Sequence, residues 1–159
     1  MTGGGESSPA RFLDLLHVLF DHDVEFVLIG GLAVGFHGYC RATKDVDIVP
    51  EQSRENLARL WDALVALDAR PVDFGDFPAE EVLTAFDTCF GRVDAMQRRP
   101  GVDSYHELRA NAEHVDDPEI GFPLWVAGVD DLIAMKEAAG RDLDRVDITA
   151  IRMAQGLEE

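Results

Sequence analysis

The sequence predicts an α/β domain, of the α+β kind, in which a mixed sheet is flanked by helices and the C-terminal end is helical. Residues 24–29 form an unbroken apolar run, typical of a buried strand. Residues 45–48 alternate charged and apolar side chains, as a second strand would. Apolar residues recur at helical spacing over residues 9–20 and again over residues 53–67. Strands interleaved with amphipathic helices are the pattern of this fold class.

The first helix is predicted to begin after Ser8, an N-cap residue followed by proline at the first helical position. Its apolar stripe is Phe12, Leu15, Leu16, Leu19 and Phe20. Residues 1–7 are rich in glycine and serine and are expected to be disordered. With 159 residues, 47% of them hydrophobic, residues 8–156 are expected to form a single domain with a substantial core.

Two glycines separate the first predicted strand from a short helix. We expect Gly30 and Gly31 to form a turn and residues 32–37 to be helical. A third helix over residues 53–67 should bury one face, formed by Leu57, Leu60, Trp61 and Leu64. The succession of strand, helix, strand and helix predicts a right-handed parallel crossover.

The second half of the chain has shorter predicted elements. These are a loop over residues 68–79, a helical turn over 79–83, two strands or one interrupted strand around Gly91 in 84–96, a helix over 104–110, an exposed edge over 113–117, a strand over 122–126, a helix from Val129 to Gly140 and a last helix over 142–153.

The chain is strongly acidic, with a formal net charge of −17 and a pI near 4.4. Such a charge disfavours non-specific binding to DNA or RNA, because that affinity depends on neutralising phosphates. No apolar run has the length of a signal peptide or a membrane span, so we expect no membrane association and a cytoplasmic location.

Asp45 and Asp47 belong to the strand that follows the double glycine. Because side chains alternate along a strand, both carboxylates lie on one face ~7 Å apart. Their mutual repulsion is relieved by a divalent cation with hard oxygen ligands, Mg²⁺ first among them. Gly30 and Gly31 open a helix whose free N–H groups and dipole favour an anion such as phosphate. The sequence therefore predicts a metal site and a phosphate site side by side.

These motifs resemble a known superfamily. Gly-Gly after an apolar strand, thirteen residues, then Asp-Val-Asp-Ile resembles the signature of polymerase-β-like nucleotidyltransferases. The longer string Gly-Gly-Leu-Ala, His-Gly and Arg-Ala-Thr-Lys-Asp-Val-Asp is similar to the bacterial AbiEii-type branch of abortive-infection and toxin–antitoxin systems. The segment from Leu132 to Asp147 resembles the C-terminal segment of the same branch.

The resemblance implies transfer of a nucleoside monophosphate from a nucleoside triphosphate, ATP among them, to an acceptor hydroxyl. The resemblance also predicts a third carboxylate on a strand beside Asp45 and Asp47, and Asp94 is the candidate. Asp45, Asp47 and Asp94 would be catalytic and would bind two Mg²⁺ ions, with Mn²⁺ as a substitute. Gly30, Gly31, Arg41, Lys44 and Lys136 would bind the nucleotide, although charge balance at a helix end accounts equally well for Lys136.

Two classes of function remain open from the sequence. One is a metal-dependent nucleotidyltransferase; the other is a non-catalytic module that keeps the fold and binds a nucleotide or a partner. For the enzyme, the acceptor is a small molecule such as an aminoglycoside-like antibiotic, a protein side chain or a tRNA end. The acidic charge favours a small-molecule or protein acceptor over a long nucleic acid. A homodimer or a partner protein also stays open.

Overall fold

A computed structural model describes residues 9–38, 45–72, 82–96 and 105–156 of the chain. The helices of these ranges are α1 (Pro9–Asp21), α2 (Gly30–Phe36), α3 (Arg54–Ala66), α4 (Tyr105–Ala110), α5 (Val129–Ala139) and α6 (Asp142–Ala154). The strands are β1 (Phe26–Ile29), β2 (Asp45–Pro50), β3 (Arg70–Pro71), β4 (Val82–Thr88), β5 (Gly91–Met96), β6 (Glu113–Val115) and β7 (Leu124–Val126). None of the helices described is long and apolar enough to cross a bilayer.

The strands of the described ranges form a single seven-stranded sheet in the order β3–β4–β5–β2–β1–β7–β6. β2 pairs with β5, and β1 with β7, in parallel. The other neighbouring pairs are antiparallel. The predicted mixed sheet with flanking helices and a helical C-terminal end is therefore confirmed.

The hydrophobic core lies between the sheet and its helices. α1 contributes the buried side chains of Phe12, Leu15, Leu16 and Leu19 and packs against α3 and β5. Two apolar residues of the predicted stripes lie outside this core. Phe20 is 39% exposed and stacks on Phe122, and Trp61 is 57% exposed and meets the Phe86 ring edge-on. Helical spacing predicts which face of a helix is apolar but not how deeply each residue on that face is buried.

The predicted parallel crossover between the first two strands is wrong. β2 runs antiparallel to β1, with Phe26 opposite Pro50 and Ile29 opposite Asp47. A parallel return needs a connection that covers the face of the sheet, usually a long helix. α2 has only seven residues, ~10 Å of helix, and the chain comes back beside the strand that it has just left.

Three local expectations also need correction. α2 begins at Gly30 itself, because its φ of +75° turns the chain directly from strand to helix without a separate turn. The predicted loop after α3 contains β3, which pairs with Asp87 and Phe86 of β4. The predicted helical turn is wrong at Val82, which starts β4, whereas residues 79–81 lie outside the described ranges.

A buried asparagine ties the start of α3 to the far ends of β1 and β2. Asn56 Oδ1 accepts a hydrogen bond from the Glu25 amide at 2.7 Å, and Asn56 Nδ2 donates to the carbonyls of Glu25 at 2.9 Å and Glu51 at 2.8 Å. Ser53 caps the same helix by accepting from the Asn56 amide at 3.1 Å. These bonds hold β2 in register with β1 and so position the residues at its other end.

Candidate active site

Four charged side chains share one face of the paired strands β2 and β5. The parallel register sets Asp45 opposite Arg92 and Asp47 opposite Asp94. Partners in register point to the same face, and their strands lie ~4.8 Å apart. The residues that alternate with them point to the other face and are buried in the core: Val46, Ile48, Val93 and Ala95. We call Asp45, Asp47, Arg92 and Asp94 the charged cluster.

Arg92 supplies the cation of the charged cluster. Its Nε donates to Asp94 Oδ1 at 2.8 Å. This hydrogen bond raises the pKa of Arg92 against the opposing effect of partial burial, and the charges of Asp94, Asp45 and Asp87 raise it further. The sequence places Arg92 on the same face as Asp94, since the two residues are two apart in a strand, and in a basic group expected to flank the cleft, but an ion pair with Asp94 was not predicted. That alternation was the signal that could have found it.

Gly30 lies directly against the carboxylate of Asp47. A Cβ atom added to Gly30 would collide with Asp47 Oδ2 and would lie 3.0 Å from both Cβ and Cγ of Asp47. The positive φ of Gly30 is a second reason for glycine at this position. Gly31 follows in the first turn of α2, where the N-cap residue Ile29 has no side-chain oxygen to bind the free N–H groups. The structure therefore places Gly30, the first residue of the double glycine, in contact with the carboxylate of Asp47.

Lys136 lies in an ion-pair network between α5 and α6. Its Nζ is 2.8 Å from Asp147 Oδ2 and 3.6 Å from Asp144 Oδ1. Asp144 also receives Arg141 Nε at 2.6 Å and Arg141 Nη2 at 3.1 Å. Both carboxylates are buried. The structure therefore gives Lys136 two acidic partners, and its predicted contact with a nucleotide stays a prediction.

Arg141 is the residue of this network whose pKa is also affected by the charge of Asp47. Hydrogen bonding to Asp144 raises the pKa of Arg141 in spite of partial burial, and the charges of Asp144, Asp147 and Asp47 act in the same direction. Arg141 therefore lies within electrostatic range of Asp47, and its side chain is 63% exposed. The other two predicted nucleotide-binding cations, Arg41 and Lys44, lie outside the described residues.

The donor chemistry of the cluster fits a hard divalent cation. Asp47 and Asp94 are neighbours in register, Asp45 is two residues away on the same face, and carboxylate oxygens are the ligands that Mg²⁺ prefers. Within residues 9–38, 45–72, 82–96 and 105–156, however, no three His, Cys, Asp or Glu side chains are already arranged to hold a metal ion. The Asp94 carboxylate forms an ion pair with Arg92.

A cavity of about 390 Å³ lies elsewhere in the molecule. Phe26, Arg59, Tyr105 and Trp125 are among its lining residues. Phe26 is paired with Pro50, whereas the charged cluster begins opposite Ile29, so the cavity is at the other end of β1, ~10 Å along the strand. It is therefore separate from the cluster.

Known structures share this fold at low sequence identity. The lincosamide antibiotic adenylyltransferase LnuA, solved with lincomycin bound, has a TM-score of 0.69 and 13% identity over 94% of this chain and 99% of that chain. ANT(2″)-Ia in complex with adenylyl-2″-tobramycin has a TM-score of 0.62 and 13% identity over 94% and 91% of the two chains. The Thermotoga maritima protein TM1012 has a TM-score of 0.59 and 18% identity over 96% of each chain. Identities this low establish the fold alone.

Family membership is established by comparison of the sequence itself. No curated protein matches it. The profile of the family described as "nucleotidyltransferase of unknown function (DUF6036)" matches residues 12–158 and so includes the double glycine and every residue of the charged cluster. The superfamily resemblance is confirmed, whereas the narrower AbiEii-type resemblance stays a prediction. The chain belongs to the nucleotidyltransferases of unknown function, DUF6036.

Proposed function

We propose that this protein transfers a nucleoside monophosphate from a nucleoside triphosphate to the hydroxyl of a small molecule and releases pyrophosphate, with a divalent cation as cofactor. One observation carries the proposal: Asp47 lies in register with Asp94, and its carboxylate lies so close to Gly30 that a Cβ atom there would collide with it. Carboxylates bind the metal ion of a metal–triphosphate substrate, and the free N–H groups at the start of a helix bind its phosphates.

The residues of the charged cluster would act together. Asp45 and Asp47 would hold the cation on the nucleotide side, and Asp94 would join a second cation on the acceptor side, Mg²⁺ or Mn²⁺ in each case. These cations would stabilise the negative charge that develops on the reacting phosphate and on the departing pyrophosphate. Gly30 and Gly31 would bind the β- and γ-phosphates through backbone N–H groups. The acceptor oxygen bonds to the α-phosphorus, the bond from that phosphorus to the bridging oxygen of the β-phosphate breaks, and Asp94 takes the hydroxyl proton.

Cations around the cluster would neutralise the triphosphate. Arg41 and Lys44 precede Asp45 in the sequence, and Arg141 lies within electrostatic range of Asp47. Lys136 would have to leave Asp147, 2.8 Å away, to touch a nucleotide directly. We therefore expect Arg141 to contribute more to nucleotide binding than Lys136 does, with Lys136 holding α5 against α6.

Two considerations favour a small-molecule acceptor. LnuA and ANT(2″)-Ia, which share the fold, carry lincomycin and adenylyl-2″-tobramycin in their structures. The net charge of −17 also opposes a long polynucleotide, whose binding is driven by phosphate neutralisation. A tRNA end needs only a local basic patch and is the competing acceptor, followed by a protein side chain.

Thermal unfolding tests the nucleotide and metal sites before the acceptor is known. Triphosphate with Mg²⁺ should raise the melting temperature more than triphosphate with a chelator, because a ligand bound only to the native state adds RT ln(1 + [L]/Kd). Asp47→Asn should abolish this difference. Asp142→Asn is the matched control, since its carboxylate on α6 is 99% exposed. A wild-type response in Asp47→Asn would refute the proposed site.

Transfer itself is measured with the four nucleoside triphosphates labelled at the α-phosphate. Aminoglycosides, lincosamides, total tRNA and a cell extract serve as acceptors, and label should move to a small molecule. Asp94→Asn should keep most nucleotide-dependent stabilisation and lose transfer, because Asp94 is assigned to the acceptor side. Label on tRNA alone would refute the small-molecule acceptor and favour the tRNA-modifying alternative.

A further inference from the structure

The charged cluster holds three carboxylates and one guanidinium on a single face of the sheet. Asp45 and Arg92 are register partners, as are Asp47 and Asp94, so each carboxylate has another charged residue of the cluster as a near neighbour. Three anions at strand spacing repel one another strongly where water is partly excluded. Arg92 reduces that repulsion from within the cluster, because its Nε is 2.8 Å from Asp94 Oδ1.

This ion pair is more sheltered than an ordinary surface pair. The side chains of Arg92 and Asp94 are 30% and 10% exposed, whereas those of the surface pair Arg145 and Asp142 are 71% and 99% exposed. Water screens an exposed pair until it contributes little, but a sheltered, charge-assisted hydrogen bond is substantially stronger. The ion pair between Arg92 and Asp94 is therefore broken only when another cation competes for the Asp94 carboxylate.

The same carboxylate is assigned to the metal in the proposed function. Asp94 Oδ1 accepts from Arg92, so a metal ion that uses this oxygen must displace the guanidinium or share the carboxylate with it. In both cases the second cation lies close to the first and repels it. Arg92 and the divalent cation are consequently competitors for one ligand.

We propose that Arg92 is a built-in counter-ion that competes with the divalent cation for Asp94 and thereby sets the metal affinity of the site. The inference rests on the proposed function, because it requires a metal at the charged cluster. The guanidinium reduces the repulsion among the three carboxylates and so stabilises the folded sheet. The same guanidinium weakens metal binding, because it occupies Asp94. Substituting Arg92 should therefore strengthen metal binding and make the fold more dependent on metal.

Mn²⁺ titration of the full chain without nucleotide tests this directly, by calorimetry and by the electron paramagnetic resonance signal of free Mn²⁺. Arg92→Gln should lower the Kd for Mn²⁺ about tenfold, since it removes one charge-assisted competitor. Arg92→Lys keeps the charge without the guanidinium fork and should have a smaller effect. Arg145→Gln makes the same change in net charge at an exposed pair and should leave the Kd within about twofold of wild type.

Thermal unfolding gives a second, independent result. In a chelator Arg92→Gln should melt below wild type, and saturating Mn²⁺ should raise its melting temperature by more than that of wild type. A role of Arg92 in packing alone would lower both temperatures equally and would refute the inference. Should Arg92→Gln fail to fold, Arg92→Lys provides the test. A Kd for Mn²⁺ below that of wild type would support the inference, and an unchanged or higher Kd would refute it.

The possible failures are distinguishable. Mn²⁺ binding to wild type that is unchanged or weakened in the Arg92 variants would refute the counter-ion role and leave the proposed metal site intact. Equal strengthening in Arg92→Gln and Arg145→Gln would also refute it, since the effect would then come from net charge. No Mn²⁺ binding by wild type or by any variant would refute the metal site of the proposed function and the inference with it.

Discussion

Gly30→Ala should destabilise the protein by an amount that the structure allows to be estimated. An L-residue at the positive φ of Gly30 costs ~1–2 kcal/mol. The new Cβ would also collide with Asp47 Oδ2, and overpacking of this kind costs ~1–3 kcal/mol. We expect a total loss of roughly 2–5 kcal/mol in unfolding free energy, which corresponds to a fall of about 5–15 °C in melting temperature for a domain of this size.

Gly35→Ala provides the matched control in the same helix. Nothing lies within 4 Å of a Cβ built at Gly35, so alanine fits there without a collision. Alanine is also the better helix former by ~1 kcal/mol, and the variant should be as stable as wild type or slightly more stable. Urea unfolding of both variants, analysed with a common slope, measures the difference.

The same substitution has a functional consequence. The methyl group of Gly30→Ala pushes the Asp47 carboxylate away from α2, so triphosphate with Mg²⁺ should no longer stabilise the variant. An unfolding free energy within about 0.5 kcal/mol of wild type, together with an intact response to triphosphate and Mg²⁺, would refute the assigned contact between the double glycine and Asp47.

Three further changes test the surroundings of the site. Asn56→Ala removes a buried amide that bonds to three backbone groups, and urea unfolding should show a loss of roughly 3 kcal/mol; less than about 1 kcal/mol would contradict that role. Lys136→Met takes the ammonium away from the buried Asp147 and should cost roughly 3–5 kcal/mol, much of which a second substitution, Asp147→Leu, should restore. Burial opposes ionisation of Asp144, but the hydrogen bonds and charge of Arg141 outweigh it and lower the pKa of that carboxyl. Stability from a lowered pKa is present above the unfolded value of ~3.9 and is lost as the pH falls through the folded pKa, so the deficit of Arg141→Gln in unfolding free energy should be full at pH 7 and shrink below about pH 4.

Local signals in the sequence determined most of the elements. Ser53 is an N-cap and Gly140 ends α5 at a φ of +67°, so both boundaries follow from the chemistry of one or two residues. The alternation around Asp45 and Asp47 likewise predicts their shared face, because side-chain direction in a strand has a period of two. These features depend on neighbours a few residues away, and the sequence contains that information in full.

Long-range pairing was decided by the tertiary structure alone. Nothing local to Asp94 states that β5 lies beside β2, or that β2 returns antiparallel to β1, since the free energy of strand pairing depends on which faces the whole fold buries. The partners of charged groups follow the same rule. Lys136 on α5 pairs with Asp147 on α6, because a partly buried charge is stable only beside the counter-charge that the fold brings to it.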